Sequence, residues 1–270
     1  MASILPLRSL MRPYLFLLMI ITSFSPTSAD MCTFWDSGCV DPLAQTAISF
    51  KFPPLFLETI NFYYAFDADG RGKGQAPMIK AGYWIGYEAY VNNSVIDINR
   101  TSEIAVRVGN LTGTPSGGNN GCDGVWGSEC SKNMKDFFKE HIFRLITGGE
   151  YDNPLSMLIE SFHAHPPEIK NCPPPFFDVQ KLPTDQFAFE SEDEQVAVIK
   201  KTGSADSPWM TWFIDNMTAG DQAEQVAVGI MSRTPAYGSP LPQNRDGIQV
   251  ELVCARAPSS GTSVSSVSND

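Results

Sequence analysis

Six cysteines, Cys32, Cys39, Cys122, Cys130, Cys172 and Cys254, all follow an N-terminal segment, residues 1–29, that has the make-up of a secretory signal peptide. Arg8 and Arg12 supply its basic start, and residues 14–21 (YLFLLMII) form its apolar centre. Thr27, Ser28 and Ala29 place small residues where a signal peptidase cuts. Ser23, Ser25 and Pro26 interrupt the apolar run before it reaches the ~20 residues that a membrane-spanning helix needs. The segment therefore reads as a cleaved leader, and no later run is apolar for long enough to span a bilayer. An even number of cysteines behind such a leader predicts three disulfides formed in an oxidising compartment. Proximity in the chain points to Cys32–Cys39 and Cys122–Cys130 as local loops, which leaves Cys172–Cys254 as the long closure. Zinc is the rival use of cysteine, but no CxxC pair occurs and histidines number 3. No cofactor is expected.

Four N-x-[ST] sequons, at Asn92, Asn99, Asn110 and Asn216, add N-glycosylation to that expectation and a surface position for each asparagine. The formal charge of −11 moves to −13 once Arg8 and Arg12 leave with the leader. So acidic a chain lacks the basic footprint that nucleic acid or an anionic membrane surface requires.

Strand signals come first along the mature chain. Residues 60–66 (INFYYAF), 82–91 (GYWIGYEAYV) and 103–108 (EIAVRV) are aromatic and β-branched. Residues 112–121 (TGTPSGGNNG) form a loop. Met134, Phe137, Phe138, His141, Ile142 and Leu145 then follow helical spacing, and Gly148-Gly149 ends the run. A second helix is expected from Asn153, as cap, and Pro154, with Leu155, Leu158, Ile159 and Phe162 on one face. Strands return at residues 186–189, 195–200, 210–215, 225–231 and 248–255. EQVAV occurs at both 194–198 and 224–228, which reads as two similar neighbouring strands. The pattern predicts an α+β, β-rich domain over residues 30–256, with antiparallel, sandwich-like sheets and two helices in mid-chain. A disordered Ser-rich tail follows at 257–270.

Chemistry is harder to find. Neither G-x-S-x-G nor HExxH occurs. Asp36-Ser37-Gly38 matches half of an aspartic-protease pair, and no second copy follows. Asp67-Ala68-Asp69-Gly70 opens like a calcium loop, but Lys73 and the missing closing glutamate favour a glycine-rich turn with solvated acids. His163 and His165 flank Ala164 before Pro166. In extended backbone they would face one ion, with Glu160 or Glu168 as a third ligand, whereas at a helix C-terminus they serve its carbonyls. Along residues 83–90, strand alternation sends Trp84, Glu88 and Tyr90 to one face, where two rings and a carboxylate would suit a sugar if that face were exposed. The favoured reading is that these aromatics fill a sandwich core and its fringe. Glu88, Glu103, Asp185, Glu190 and Asp215 are all available to a carboxylate-dependent hydrolase, and nothing selects a pair among them.

Residues 121–130 (GCDGVWGSEC), running into the helix at 132–146, and the ending VELVCARAPSSGTSV resemble secreted cysteine-containing glycoproteins of filamentous fungi. Some members of that group resemble lipid-anchored wall proteins, whose Ser-rich tail precedes an apolar anchor signal. This chain reaches Asp270 without one, so an anchor is not expected. The resemblance implies a secreted, extracellular or wall-associated glycoprotein and brings no catalytic residues. The leading expectation is a non-enzymatic binding protein whose partner is carbohydrate or an extracellular protein. The alternatives are a secreted polysaccharide hydrolase and a structural wall glycoprotein.

Overall fold

The aromatic and β-branched stretches form the strands, and the periodic mid-chain forms the helices, in a computed structural model that describes residues 43–52, 56–71, 77–89, 100–107, 111–173, 184–186, 198–201 and 210–257. These residues lie within one unit, Cys32–Asp270. Two antiparallel sheets carry the fold. Sheet A is built on a meander of β1 (Ala44–Phe52), β2 (Phe56–Arg71) and β3 (Pro77–Ala89). Sheet B contains β4 (Arg100–Arg107) and β5 (Thr184–Gln186). The far edge of β3 is shared by β6 (Val198–Lys201) and β7 (Met210–Asp215), paired along its second and first halves respectively. Sheet B is completed by β8 (Ala227–Pro235) and β9 (Gln249–Ala255), in the order β5-β4-β8-β9.

Alternation along the strands of sheet B divides its side chains between two cores. Ile104, Val106, Ala227, Met231, Val253 and Ala255 meet Phe50, Phe62, Tyr64, Phe66, Ile79 and Ile85 of sheet A. On the opposite face, Ala105, Val228, Ile230, Val250, Leu252 and Cys254 meet the helices. A sheet–sheet–helix stack results. Every residue of β8 is buried because this strand has a layer on each side. At Gly229 there is no room for a side chain between Val253 of the neighbouring strand and Phe62 of sheet A. A Cβ there would lie 2.7 Å from Val253 Cγ1 and 3.2 Å from the Phe62 ring.

The helical layer follows α1 (Asp123–Trp126) and consists of α2 (Ser128–Thr147) and α3 (Pro154–Ala164). Met134, Phe138, Ile142 and Ile146 recur at i+4 and form the buried stripe of α2. Leu155, Leu158, Ile159 and Phe162 pack from α3 as their spacing predicts. Each such side chain contributes roughly 1.5–3 kcal/mol when fully buried. A short helix, α4 (Ala219–Ala223), closes the end of the sandwich between β7 and β8.

Several expectations need correction. The described disulfides are Cys122–Cys254 and Cys130–Cys172, not Cys122–Cys130 and Cys172–Cys254. Cys122 lies against the edge of β9, where Asn120 accepts from the Cys254 amide at 3.0 Å and donates Nδ2 to the Leu252 carbonyl at 2.7 Å. Cys130, on the buried face of α2, meets the segment after α3, which is held by an Asn133 Nδ2 bond to the Lys170 carbonyl at 2.8 Å. The turn between α1 and α2 sends the two neighbouring cysteines to different partners. The two EQVAV copies lead into β6 and β8, which belong to different sheets and are not neighbours. Asp67 is not in a solvated turn. It is buried within β2, directly opposite the buried Lys80 of β3. The turn before α3 also departs from expectation, since Asn153 is left-handed at φ 54° and its side chain caps nothing. Cys32, Cys39, Asn92, Asn99, Asn110, Tyr90, Glu190 and the tail after Ala257 lie outside the described residues, as do residues 1–42.

Candidate functional site

Trp84 could stack on a sugar only if its face of the strand were exposed. It does lie on the face of sheet A turned away from sheet B, but it is only 5 % exposed. Its cross-strand partner Tyr63 covers it, with ring centroids 5.2 Å apart and planes 5° from parallel. Parallel stacking on a register neighbour removes the flat face that a sugar would need. Glu88 lies in β3 opposite Ile199 of β6.

Glu103 is the best-defined buried carboxylate among the described residues, at 2 % exposure. Sheet alternation turns it toward the helices, where Oε2 accepts from Leu155 N at 2.9 Å and Oε1 from Ser156 N at 3.1 Å. These amides open α3, whose own cap residue Asn153 makes no side-chain cap bond to them. A strand residue therefore caps the helix. Burial pushes the Glu103 carboxyl above its ordinary range, and the two backbone hydrogen bonds oppose that rise. Both oxygens are engaged by backbone amides, so the rise reports burial of the carboxyl and the cap works against it. Asp215 stands exposed at the end of β7, and Asp185 pairs with Ile104 in register.

His163 and His165 do not share an extended segment. His163 lies within α3, while His165 sits just past its end, exposed and extended at φ −141°. The bias of a residue before proline holds for His165 alone. Among the described residues, no group of three or more His, Cys, Asp or Glu side chains is placed to hold a metal.

The resembling stretch at 121–130 proves to be architectural. A Cβ on Gly124 would lie 2.4 Å from the Thr114 carbonyl oxygen, and one on Gly121 would lie 3.0 Å from that of Cys254. Trp126 Nε1 donates to Ser131 Oγ at 2.8 Å, which fixes the α1–α2 corner. Asn119 Nδ2 donates to Asp123 at 2.8 Å, and Lys135 pairs with Glu251 of β9 at 3.0 Å.

Two arrangements had no counterpart in the sequence reading. The first is internal. Tyr64 and Tyr83 stack at 5.3 Å between the sheets, and Gln222 of α4 donates Nε2 to Tyr64 Oη at 2.7 Å. Tyr83 Oη and Gln222 Oε1 are buried without a hydrogen-bond partner among the described residues. Burial lifts both phenols far above the ordinary tyrosine range. The Gln222 bond opposes the rise at Tyr64, while Tyr64 adds to it at Tyr83. A capping-box pattern, Thr218-x-x-Asp221, was the available sequence signal for α4.

The second is external. Tyr237, on the loop between β8 and β9, is 83 % exposed and meets Tyr151 of the α2–α3 connection edge-on at 5.8 Å. The loop is pinned. Arg100 Nη1 donates to the Gly247 carbonyl at 3.2 Å, Asn244 Oδ1 accepts from Asp246 N at 3.0 Å, and Arg245 approaches Glu140 at 3.9 Å. A Cβ on Gly247 would lie 2.3 Å from Pro242 Cβ, so glycine is required for that packing. The corner thus leaves an aromatic ring in water, against Tyr151, on a loop whose β9 end is braced.

No protein-family model, no curated protein and no solved structure matches the chain. No helix among the described residues is long and apolar enough to cross a membrane.

Proposed function

We propose that this chain is a secreted, N-glycosylated, non-enzymatic binding protein that engages extracellular carbohydrate through the Tyr151–Tyr237 corner. The observation that carries the reading is Tyr237, a large ring left in water edge-on to Tyr151. A rigid aromatic contributes contact area at small entropic cost, and its apolar face with a polar tip suits a sugar ring. Export is supported by the leader pattern and by disulfides that join distant parts of the chain, since such bonds persist in oxidising compartments. The cap made by Glu103 removes one of the five carboxylates available to a hydrolase.

The test is incubation of purified protein with a panel of insoluble polysaccharides, measuring protein retained and sugar released. Retention without release, reduced roughly tenfold or more by Tyr237→Ala (the loss of ~1.4 kcal/mol), is the expected result. Equal retention of wild type and Tyr237→Ala would remove the corner from the binding surface. Release of sugar would make the chain a hydrolase.

A further inference from the structure

We propose that Asn216 carries an N-linked glycan that shields the open edge of β7 from pairing with a second copy of the chain. The proposal rests on the reading of the chain as a secreted glycoprotein and assigns one modification a position and a role.

Asn216 follows directly on Asp215, the last residue of β7, in the sequon Asn216-Met217-Thr218. Its side chain is exposed, and its backbone is left-handed at φ 58°, a conformation that asparagine tolerates better than most residues. The turn is fixed on both sides. Met217 packs against the inter-sheet core, and Thr218 Oγ1 accepts from Asp221 N at 3.1 Å to cap α4. Asn216 is therefore held outward by neighbours that are held inward. An exposed asparagine beside a strand end is where a bulky glycan fits without displacing packed atoms.

The strand it follows, β7, pairs with β3 on one side and carries no second partner among the described residues. Edge strands are ordinarily guarded by lysine, proline, a bulge or very short length. β7 (MTWFID) is six residues long, contains neither lysine nor proline, and carries one charge, the exposed Asp215 at its end. Phe213 is 44 % exposed, with Lys80 Nζ 5.9 Å from its ring centroid. It lies three residues from Asn216, about 10 Å along the strand. A hydrated glycan at Asn216 would add steric bulk beside that edge.

The full chain is to be secreted from a glycosylating eukaryotic host, mapped by peptide mass at each sequon, and sized by light scattering across concentration. The expected result is a glycan on Asn216 and a monomeric wild type. Asn216→Asp, which keeps the left-handed preference and the Thr218 cap, should associate at concentrations roughly tenfold lower. Adding Phe213→Lys to that variant should restore the monomer, because an edge lysine opposes strand pairing. Enzymatic removal of the glycan from folded wild type should reproduce the association even if the aspartate variant is poorly secreted. A bare Asn216 beside occupied Asn92, Asn99 or Asn110 overturns this proposal alone. Bare asparagines at all four overturn the glycoprotein reading with it. A deglycosylated protein that remains monomeric refutes the shielding role.

Discussion

At the scale of single residues, polar groups placed in the interior explain more than the surface motifs do. Tyr64 and Tyr83 have the same surroundings but opposite accounts. Tyr64 Oη accepts from Gln222, whereas Tyr83 Oη has no partner among the described residues. Tyr64→Phe strands a buried amide donor and should cost about 1–3 kcal/mol, while Tyr83→Phe should be neutral or slightly stabilising. Urea unfolding of the two variants separates these outcomes. Glu103 gives a prediction with a sign. Its carboxyl is raised in the folded state, so folding favours its protonated form. That contribution is fully present below the ordinary carboxylate range and is lost as pH rises through the raised value. Glu103→Gln removes the titration. The stability of wild type relative to the variant should therefore fall from acid pH towards neutrality, read from urea midpoints over that range. Parallel pH profiles would contradict the raised pKa.

At the scale of elements, the strongest periodic signals translated directly. The i+4 stripe of α2 and the apolar face of α3 needed only helical spacing, and β7 matches residues 210–215. Strand pairing was not legible in the same way. Glu103 caps α3 across 52 positions of chain, and such a cap leaves no local pattern. Glu103→Ala should cost about 2–3 kcal/mol by exposing two buried amides. The loss should concentrate in α3, where hydrogen exchange of the Leu155 and Ser156 amides checks it. Gly229 is likewise silent in sequence, because its lack of a side chain answers to Val253 and Phe62 in other strands. Gly229→Ala should destabilise by about 1–3 kcal/mol through overpacking, measurable by thermal unfolding. Trp84 shows the converse. Alternation assigned its face correctly, but exposure depended on Tyr63, which lies across the strand pair.

At the scale of the whole molecule, two disulfides join the helical layer to its surroundings. One runs from the start of α1 to the edge strand β9 across 132 positions, the other from α2 to the segment after α3 across 42. Cys254→Ala should cost about 2–5 kcal/mol, since a closure this long removes much unfolded-state entropy. Non-reducing peptide mapping should recover Cys122 with Cys254 and Cys130 with Cys172. A Cys122–Cys130 peptide would contradict the fold. The sequence by itself determined the fold class and the position of most elements. Side-chain periodicity and turn chemistry act over a few residues and are written locally. Tertiary structure alone decided cysteine partners, the burial of Trp84, the cap on α3 and the exposure of Tyr237. Each depends on which distant segments the stacked layers bring together, and chain proximity carries little information about that.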